Sequence, residues 1–368
     1  MALLVTQIGP GVLTGGTGLL PVEKVTPLRI LLISTSIYAL PIKGYGGTEE
    51  VVYRLACELQ KRGHQVSVVA PEGSKLPDGM ELIPIALGEL EETAYRKYVK
   101  RLGEFDIIHD HSFGAWVYIS SIGVDTPLPI IKTFHTDPSI WGSPPPVQHP
   151  CLVGLSRDHA RRLSMHLGVS VEYVYNGIDT TFYKPPSDPL KPRSSRLLFM
   201  GRYTPEKGPL EAMQLCKRKK IPLDCYGDTT MVSNPAYVDR CRQEADEVIV
   251  RMFPGVPREE TVELYQTHQA LLFTPNWDEP FGLTLVEAQA CGMLVIALNR
   301  GSVKEVVARE SGFVEDDLED IEYVLDGLPL HDDDPQVRVK WVEENFSIAE
   351  MTNGYLRLYN RVRNKELW

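Results

Sequence analysis

A pair of glutamates flanks a glycine-containing turn in the second half of the chain. The segment Asp278 to Glu287 reads DEPFGLTLVE and follows the apolar run QALLFTP. Its first glutamate, Glu279, is predicted on a loop at the carboxyl end of a buried strand, where open α/β sheets bind their ligands. Residues 282–284 then open a helix, whose unpaired backbone N–H groups and dipole attract phosphate. Glu287 lies on the face of that first turn, so the segment suits a sugar, a diphosphate and a ribose bound in a row.

An acidic residue near a helix start can also do no more than complement the helix dipole. That interpretation accounts for Glu287 taken singly, but it does not account for the loop glutamate and the anion-binding turn beside it. The combination therefore favours a binding site.

Two basic residues follow the strand RLLFM in the segment GRYTPEKG, residues 201–208. Arg202 offers a planar fork to phosphate oxygens, and Lys207 offers a point charge. A solvated turn with a Glu206/Lys207 ion pair is the alternative. Beside the glutamate segment we favour a phosphate-binding role, because both segments are predicted at the carboxyl ends of parallel strands.

Histidines and carboxylates end two predicted strands in the first half of the chain. His109, Asp110 and His111 end one strand, and His135 and Asp137 flank Thr136 at the end of the next. Two histidine clusters can indicate a metal site. No further ligand set has metal-like spacing, so we predict polar groups that line a cleft, with no metal. His135 is the best candidate for contacting a substrate.

Alternating strands and helices position these residues. A predicted strand at Arg29 to Thr35 leads through a loop with Gly46 and Gly47 into a helix for which Thr48 is a suitable N-cap, and a second strand follows at 65–71. This β-loop-α-β unit opens a doubly wound parallel sheet. Glycines on its loop allow backbone to approach a ligand closely, although a simple tight turn is the alternative. Further strands are predicted at 105–111, 128–136, 151–156, 171–177, 196–202, 222–227, 247–255, 269–275 and 293–298.

The strand pattern restarts after the proline-rich stretch Tyr183 to Ser195, which is typical of a linker between two α/β domains. Near the C-terminus, Ser347 and Glu350 form a capping-box pattern before an amphipathic helix. Residues 1–27 fit neither domain. Their glycines do not lie in a strand-loop-helix frame, so we favour a flexible extension or hairpin over a nucleotide loop.

Composition excludes several classes of protein. The 38 Lys and Arg against 49 Asp and Glu give a formal net charge of −11, which disfavours binding to nucleic acid or anionic lipid and requires a local basic pocket for any phosphate. The six cysteines are scattered without a CxxC pair, as is typical of reduced thiols. No export signal or apolar run of membrane-spanning length occurs, so a cytoplasmic location is expected.

Four segments in this order resemble the retaining glycosyltransferases of family 4, which have the GT-B fold. They are GYGGTE (44–49), VYNGID (174–179), GRYTPEKG (201–208) and EPFGLTLVE (279–287). The resemblance extends from Arg29 to the C-terminus and is closest to a bacterial subgroup with GYGGTE and WDEPFGL motifs. It implies two Rossmann-like domains that face each other across a cleft, at residues 28–190 for the acceptor and 191–345 for the nucleotide sugar. It also implies that a helix in 346–368 returns to the first domain, and it leaves 1–27 as an extension.

The resemblance also implies roles for individual residues. Glu279 would contact the donor sugar and Glu287 the nucleotide ribose, with His135 beside the sugar at the reacting face. The donor diphosphate would be bound by Gly46, Gly47, Arg202, Lys207, Phe281, Gly282, Leu283 and Thr284. Three polar residues, Glu49, Asp110 and His111, are candidates for the acceptor side.

The expected reaction moves a hexose from a nucleotide-diphosphate sugar, with a UDP-glucose-like donor favoured, to a hydroxyl of a small molecule or saccharide. The nucleotide sugar is a co-substrate, and no cofactor or metal is expected. A GDP-mannose-dependent mannosyltransferase and a catalytically inactive nucleotide-sugar-binding partner protein stay open. A nicotinamide dehydrogenase fits poorly, because GYGGTE is not GxGxxG and QVSVVAP ends in Pro71 rather than an acidic residue.

Overall fold

The computed structural model describes residues 26–42, 44, 46–120, 128–138, 151–188, 192–229, 234–310, 312–328 and 334–368. The proposed extension lies outside these ranges except for its last two residues, and so does part of the predicted linker (189–191).

The first domain is built on a seven-stranded parallel sheet with the order β3-β2-β1-β4-β5-β6-β7. Its central strands are nearly continuous apolar runs, as expected for strands covered on both faces. They are β1 (Arg29–Ile33), β2 (Gln65–Pro71), β3 (Glu81–Ile85), β4 (Ile107–Asp110), β5 (Ile130–Thr133), β6 (Leu152–Gly154) and β7 (Glu172–Tyr173).

The second domain is built on a six-stranded parallel sheet with the order β10-β9-β8-β11-β12-β13. The prediction of two doubly wound α/β domains is confirmed. The strands are β8 (Leu197–Met200), β9 (Leu223–Gly227), β10 (Val250–Pro254), β11 (Ala270–Phe273), β12 (Leu294–Leu298) and β13 (Phe313–Glu315).

Helices cover both sheets. In the first domain they are α1 (Gly47–Lys61), α2 (Glu91–Tyr98), α3 (Trp116–Ser120) and α4 (Arg157–Leu167). In the second domain they are α5 (Pro209–Lys219), α6 (Pro235–Glu244), α7 (Arg258–Thr267), α8 (Leu283–Ala290), α9 (Val303–Val306), α10 (Leu318–Asp326) and α11 (Pro335–Asn345). The last helix, α12 (Ile348–Arg363), follows them.

Two local predictions need correction. The helix α1 begins at Gly47 with Gly46 as its N-cap and no side-chain cap, so Thr48 lies inside the first turn instead of capping it. The backbone oxygen of Gly46 accepts from Glu50 N at 3.1 Å and starts the helix one residue earlier than the threonine indicates. The edge strands β3 and β13 were not predicted, because β3 contains Pro84 and β13 has only three half-buried residues.

The C-terminal helix packs on the first domain although it follows the second in the chain. Ser347 caps α12 by accepting a hydrogen bond from Glu350 N at 3.3 Å. The buried stripe of α12 belongs to the same core as α1 and the strands β1 and β2, and it comprises Met351, Tyr355, Leu358, Tyr359 and Val362. The described part of the chain contains no helix long and apolar enough to cross a membrane.

Candidate active site

A cavity of about 630 Å³ lies between the two domains, at the carboxyl ends of both sheets. Parallel strands present their carboxyl ends on one edge, so loops that are distant in the chain converge there. Eleven of the predicted site residues line this cavity: Gly46, Gly47, Glu49, His135, Arg202, Lys207, Glu279, Phe281, Gly282, Leu283 and Thr284.

Glu279 is held by two donors on the second domain. Lys207 Nζ donates to Glu279 Oε2 at 2.6 Å, and Trp277 Nε1 donates to the same oxygen at 3.0 Å. The lysine also lies 4.6 Å from the centroid of the Trp277 ring, a cation–π distance. Because the carboxylate is 6% exposed, its charge needs this compensation. The two motifs of the second domain therefore form one charged unit.

Two glycines allow that unit to form. Gly208 has φ 68°, and a Cβ there would lie 1.7 Å from the Thr274 carbonyl oxygen at the end of β11. This close approach carries the neighbouring lysine toward Glu279. Gly282 has φ 86° and is the N-cap of α8, where a Cβ would lie 2.8 Å from Leu285 Cδ1. The first amides of α8 consequently lie at the cavity wall, as an anion site requires.

Arg202 lines the same wall, and its Nη2 donates to Glu206 Oε1 at 3.2 Å. The next residue anchors the loop, because Tyr203 Oη donates toward the carbonyl oxygens of Cys225 at 2.7 Å and Phe253 at 2.8 Å. Tyr203 thus fixes the loop 201–208, and the side chains of Arg202 and Lys207 line the cavity.

Glu287 lies on α8 one turn after the cavity-lining residues Leu283 and Thr284, and it is 6% exposed. Tyr265 Oη donates to Glu287 Oε2 at 3.0 Å, and Arg258 Nη2 donates to Oε1 at 3.2 Å. Burial raises the pKa of the Glu287 carboxyl, while Arg258 and Tyr265 oppose that increase. We did not predict Arg258 from the sequence. The available signal was its place at the first residue of α7, where a cation opposes the helix dipole.

A chain of hydrogen bonds runs from His135 in the cavity to the C-terminal helix. His135 Nε2 is 2.8 Å from His111 Nδ1, and His111 Nε2 is 3.2 Å from His109 Nδ1. His109 Nδ1 in turn is 2.7 Å from Tyr359 Oη. The helix α12 therefore supports the orientation of the cavity histidine through two buried rings.

Burial lowers the pKa of His135 to about 3 and lowers the pKa values of His109 and His111 well below 6.5. The buried Lys132 ammonium acts in the same direction on all three. At neutral pH the three rings are uncharged. A neutral His135 can donate or accept a hydrogen bond at a ligand without adding positive charge to the cavity.

Two of the three candidates for the acceptor side do not line the described cavity. Asp110 and His111 are each 0% exposed. Asp110 Oδ1 accepts from Ser112 N at 2.8 Å and from Ser112 Oγ at 2.6 Å, so it holds the loop after β4. Glu49 does line the cavity and accepts a short hydrogen bond from Thr35 Oγ1. The prediction that Asp110 and His111 contact the acceptor therefore needs correction. Both side chains are buried, where Asp110 holds the loop after β4 and His111 supports His135.

The described residues contain no group of three or more His, Cys, Asp or Glu placed to hold a metal ion.

We expect the protein to lose stability as the pH falls below about 6.5, the ordinary pKa of histidine. The unfolded chain takes up protons there that the folded chain excludes, because the folded pKa values of His109, His111 and His135 are lowered. Each such histidine contributes roughly 1.4 kcal/mol per pH unit until its folded pKa is reached. Urea unfolding between pH 7.5 and 5.5 measures this slope. His135→Asn should reduce the slope by up to about one proton at the acid end of this range, and an unchanged slope there would contradict the assignment.

Two parallel-sheet α/β domains that face each other across a cleft are the architecture of the GT-B glycosyltransferases. Family models cover most of the chain: Glycosyltransferase Family 4 matches residues 45–182, and Glycosyl transferases group 1 matches residues 184–345. The chain belongs to the family 4-like GT-B glycosyltransferases.

Individual relatives support this assignment. The chain is 29% identical to a phosphatidyl-myo-inositol mannosyltransferase of Mycolicibacterium smegmatis, over 76% of this chain and 78% of the relative. It is 25% identical to a D-inositol 3-phosphate glycosyltransferase of Thermomonospora curvata, over 85% and 88%. Its fold is similar to that of AviGT4, a glycosyltransferase involved in avilamycin A biosynthesis, with a TM-score of 0.71 at 23% identity over 93% and 100%. Anabaena HepE in complex with UDP-glucose has a TM-score of 0.72 at 15% identity over 90% and 99%.

Proposed function

We propose that this glycosyltransferase moves a hexose from a nucleotide-diphosphate sugar to a hydroxyl of a small molecule or saccharide, with retention at the anomeric carbon. The observation that carries the proposal is the Lys207–Glu279 pair at 2.6 Å beside the helix start at Gly282. It brings a carboxylate, a cation and the amides of a helix start together on one wall of the cleft, which supports binding of a sugar beside a diphosphate. A UDP-glucose-like donor is favoured.

The proposed chemistry is substitution on the front face of the sugar. The bond from the anomeric carbon to the diphosphate breaks, the acceptor oxygen bonds on the same face, and the acceptor proton passes to the leaving phosphate oxygen. Double displacement would need a free carboxylate on the opposite face. Three carboxylates line the described cavity, and each already accepts from a neighbour: Glu49 from Thr35, Glu206 from Arg202 and Glu279 from Lys207.

In this proposal each side chain has a defined task. Lys207, Arg202 and the α8 amides stabilise the charge that grows on the departing diphosphate. Glu279 accepts hydrogen bonds from hydroxyls of the donor sugar, and neutral His135 accepts or donates one there. Glu287 accepts from the ribose hydroxyls. The two domains exclude water from the cleft and so limit hydrolysis.

A thermal-shift screen against UDP, GDP, ADP and their hexose derivatives tests donor binding. A ligand at a hundredfold excess over its Kd stabilises the folded state by about 2.7 kcal/mol. We expect one nucleotide to raise the Tm, and EDTA to leave the shift unchanged because the site supplies its own cations. Failure of all three nucleotides would contradict the proposal.

Slow hydrolysis of the bound donor separates an enzyme from an inactive binding partner. NMR of the released hexose should show the donor's anomeric configuration first. The initial appearance of the opposite anomer would contradict retention. A donor that binds but is never cleaved, with inositol and saccharides present as acceptors, would favour the inactive partner.

A mannosyl donor is the second candidate, because the similar Mycolicibacterium protein is a phosphatidyl-myo-inositol mannosyltransferase. GDP-mannose in the same screen distinguishes the two donors.

A further inference from the structure

Arg258 lies at the boundary of the two domains, with a carboxylate from each domain beside its guanidinium. Its Nη2 donates to Glu287 Oε1 in the second domain at 3.2 Å. Its Nε lies 3.5 Å from Glu50 Oε1 on α1 of the first domain. The side chain is 14% exposed, and its guanidinium carbon lies 5.2 Å from the centroid of the Tyr183 ring. One cation is thus held by both domains at once.

The charges continue into the first domain in alternating sign. Arg54 Nε donates to Glu50 Oε1 at 2.6 Å, and Arg54 Nη1 donates to Asp179 Oδ2 at 3.2 Å. Asp179 follows Ile178, whose backbone pairs with Ser347 where the chain returns to the first domain. Because Glu50 and Glu287 are largely buried, salt screens their interactions with Arg258 only weakly. Moving one charged side chain of this row therefore changes the electrostatic field at its neighbour.

We propose that Arg258 is a positioning residue that couples ribose binding at Glu287 to the placement of the first domain. Glu50 holds the guanidinium, and the guanidinium holds Glu287 in the orientation that accepts from the ribose hydroxyls. This inference rests on the proposed function, in which Glu287 binds the ribose. It means that Glu50, on the opposite domain and behind the cavity wall, contributes to nucleotide affinity. By linkage, ribose binding strengthens the contact between the domains.

Calorimetric titration of Glu50→Gln tests the coupling. The probes are whichever of UDP, GDP and ADP binds the wild-type protein most tightly, and the 2′,3′-dideoxy form of that nucleotide. We expect Glu50→Gln to raise the Kd of the nucleotide about fivefold or more, and to change the Kd of the dideoxy form by less than about twofold. The dideoxy form lacks the hydroxyls that Glu287 accepts from. A general folding defect would raise the Kd of both ligands by the same factor, and that result would overturn the proposal.

A double-mutant cycle tests whether Arg258 carries the effect. Arg258→Met should raise the Kd of the nucleotide, and adding Glu50→Gln to this variant should raise it no further. If the increases in Kd caused by the two substitutions multiply in the double variant, the proposed coupling is overturned. Arg258→Lys keeps the positive charge but loses the planar donor fork of the guanidinium, so the Kd of the nucleotide should stay partly raised. This variant keeps the cycle interpretable if Arg258→Met folds poorly.

The matched control is Glu322→Gln, which removes an ion pair with Arg218 at 2.6 Å on the exposed surface of the second domain. It makes the same chemical change away from the domain boundary and should leave both affinities at wild-type values. If no nucleotide binds the wild-type protein, the proposed function itself is overturned, which is distinct from normal binding that is insensitive to Glu50.

Discussion

Replacing Lys207 by alanine is expected to lower kcat by about a hundredfold or more, which is the scale seen when one charge-stabilising group is removed from an active site. The lysine Nζ lies 2.6 Å from Glu279 Oε2 and lines the cavity where the diphosphate would depart. Its loss removes a cation from the leaving group and leaves Glu279, at 6% exposure, without its ion-pair partner. The measurement is kcat and KM for the donor that the thermal-shift screen identifies.

Arg202→Ala should have an effect of the same size, because this arginine lines the same wall through the loop that Tyr203 anchors. The two losses should not multiply if both groups act on one diphosphate. A suitable control is Lys217→Ala on α5, which removes a partly exposed ion pair with Glu244 at 3.3 Å. Near-normal turnover in both Lys207→Ala and Arg202→Ala would refute the diphosphate assignment.

Tyr355→Ala is expected to destabilise the first domain by about 3–5 kcal/mol, the usual cost of deleting a buried aromatic side chain. Tyr355 is 0% exposed, and its ring lies 4.6 Å from the ring of His109. The cavity left behind would lie between α12 and the polar chain that supports His135. A Tm decrease of roughly 6–20 °C follows for a domain of this size, and calorimetry measures it.

Two variants of the same helix isolate the cause. Tyr355→Phe keeps the ring and loses only the 3.3 Å hydrogen bond with Thr133, so it should cost less than about 1.5 kcal/mol. Arg357→Ala changes an exposed position of α12 and should cost less than about 0.5 kcal/mol. If Tyr355→Ala were as stable as Arg357→Ala, the packing of α12 on the first domain would be disproved.

The second-domain motifs were predictable because their signals are local. DEPFGLTLVE follows the end of β11 and contains the turn and the helix start in one short segment, so its pattern depends on neighbouring residues alone. The helix α8 begins at Leu283 with Gly282 as its cap, as the pattern predicts. In the same way, apolar runs separated by amphipathic helices predict parallel sheets, since each β-α-β unit closes with its own right-handed crossover.

The burial of Asp110 and His111 was not predictable in that way. A polar residue at the end of a strand can face the cleft or turn behind it, and the two outcomes give the same sequence pattern. The outcome depends on Ser112 and on the histidine of the next strand, whose contacts with these residues form only after the sheet is assembled.

The sequence by itself determined the class of fold, the two strand-loop-helix motifs and the acidic composition that makes a local basic wall necessary for phosphate. Tertiary structure alone decided how distant residues meet. The hydrogen bond between His109 and Tyr359 joins residues 250 positions apart, and Arg258 joins Glu287 to a carboxylate on the other domain. Periodicity reports which face of an element is apolar, but it carries no information about which distant polar group the other face will contact. Those contacts depend on the packing of the two domains and the return of α12, so they appear only in the folded chain.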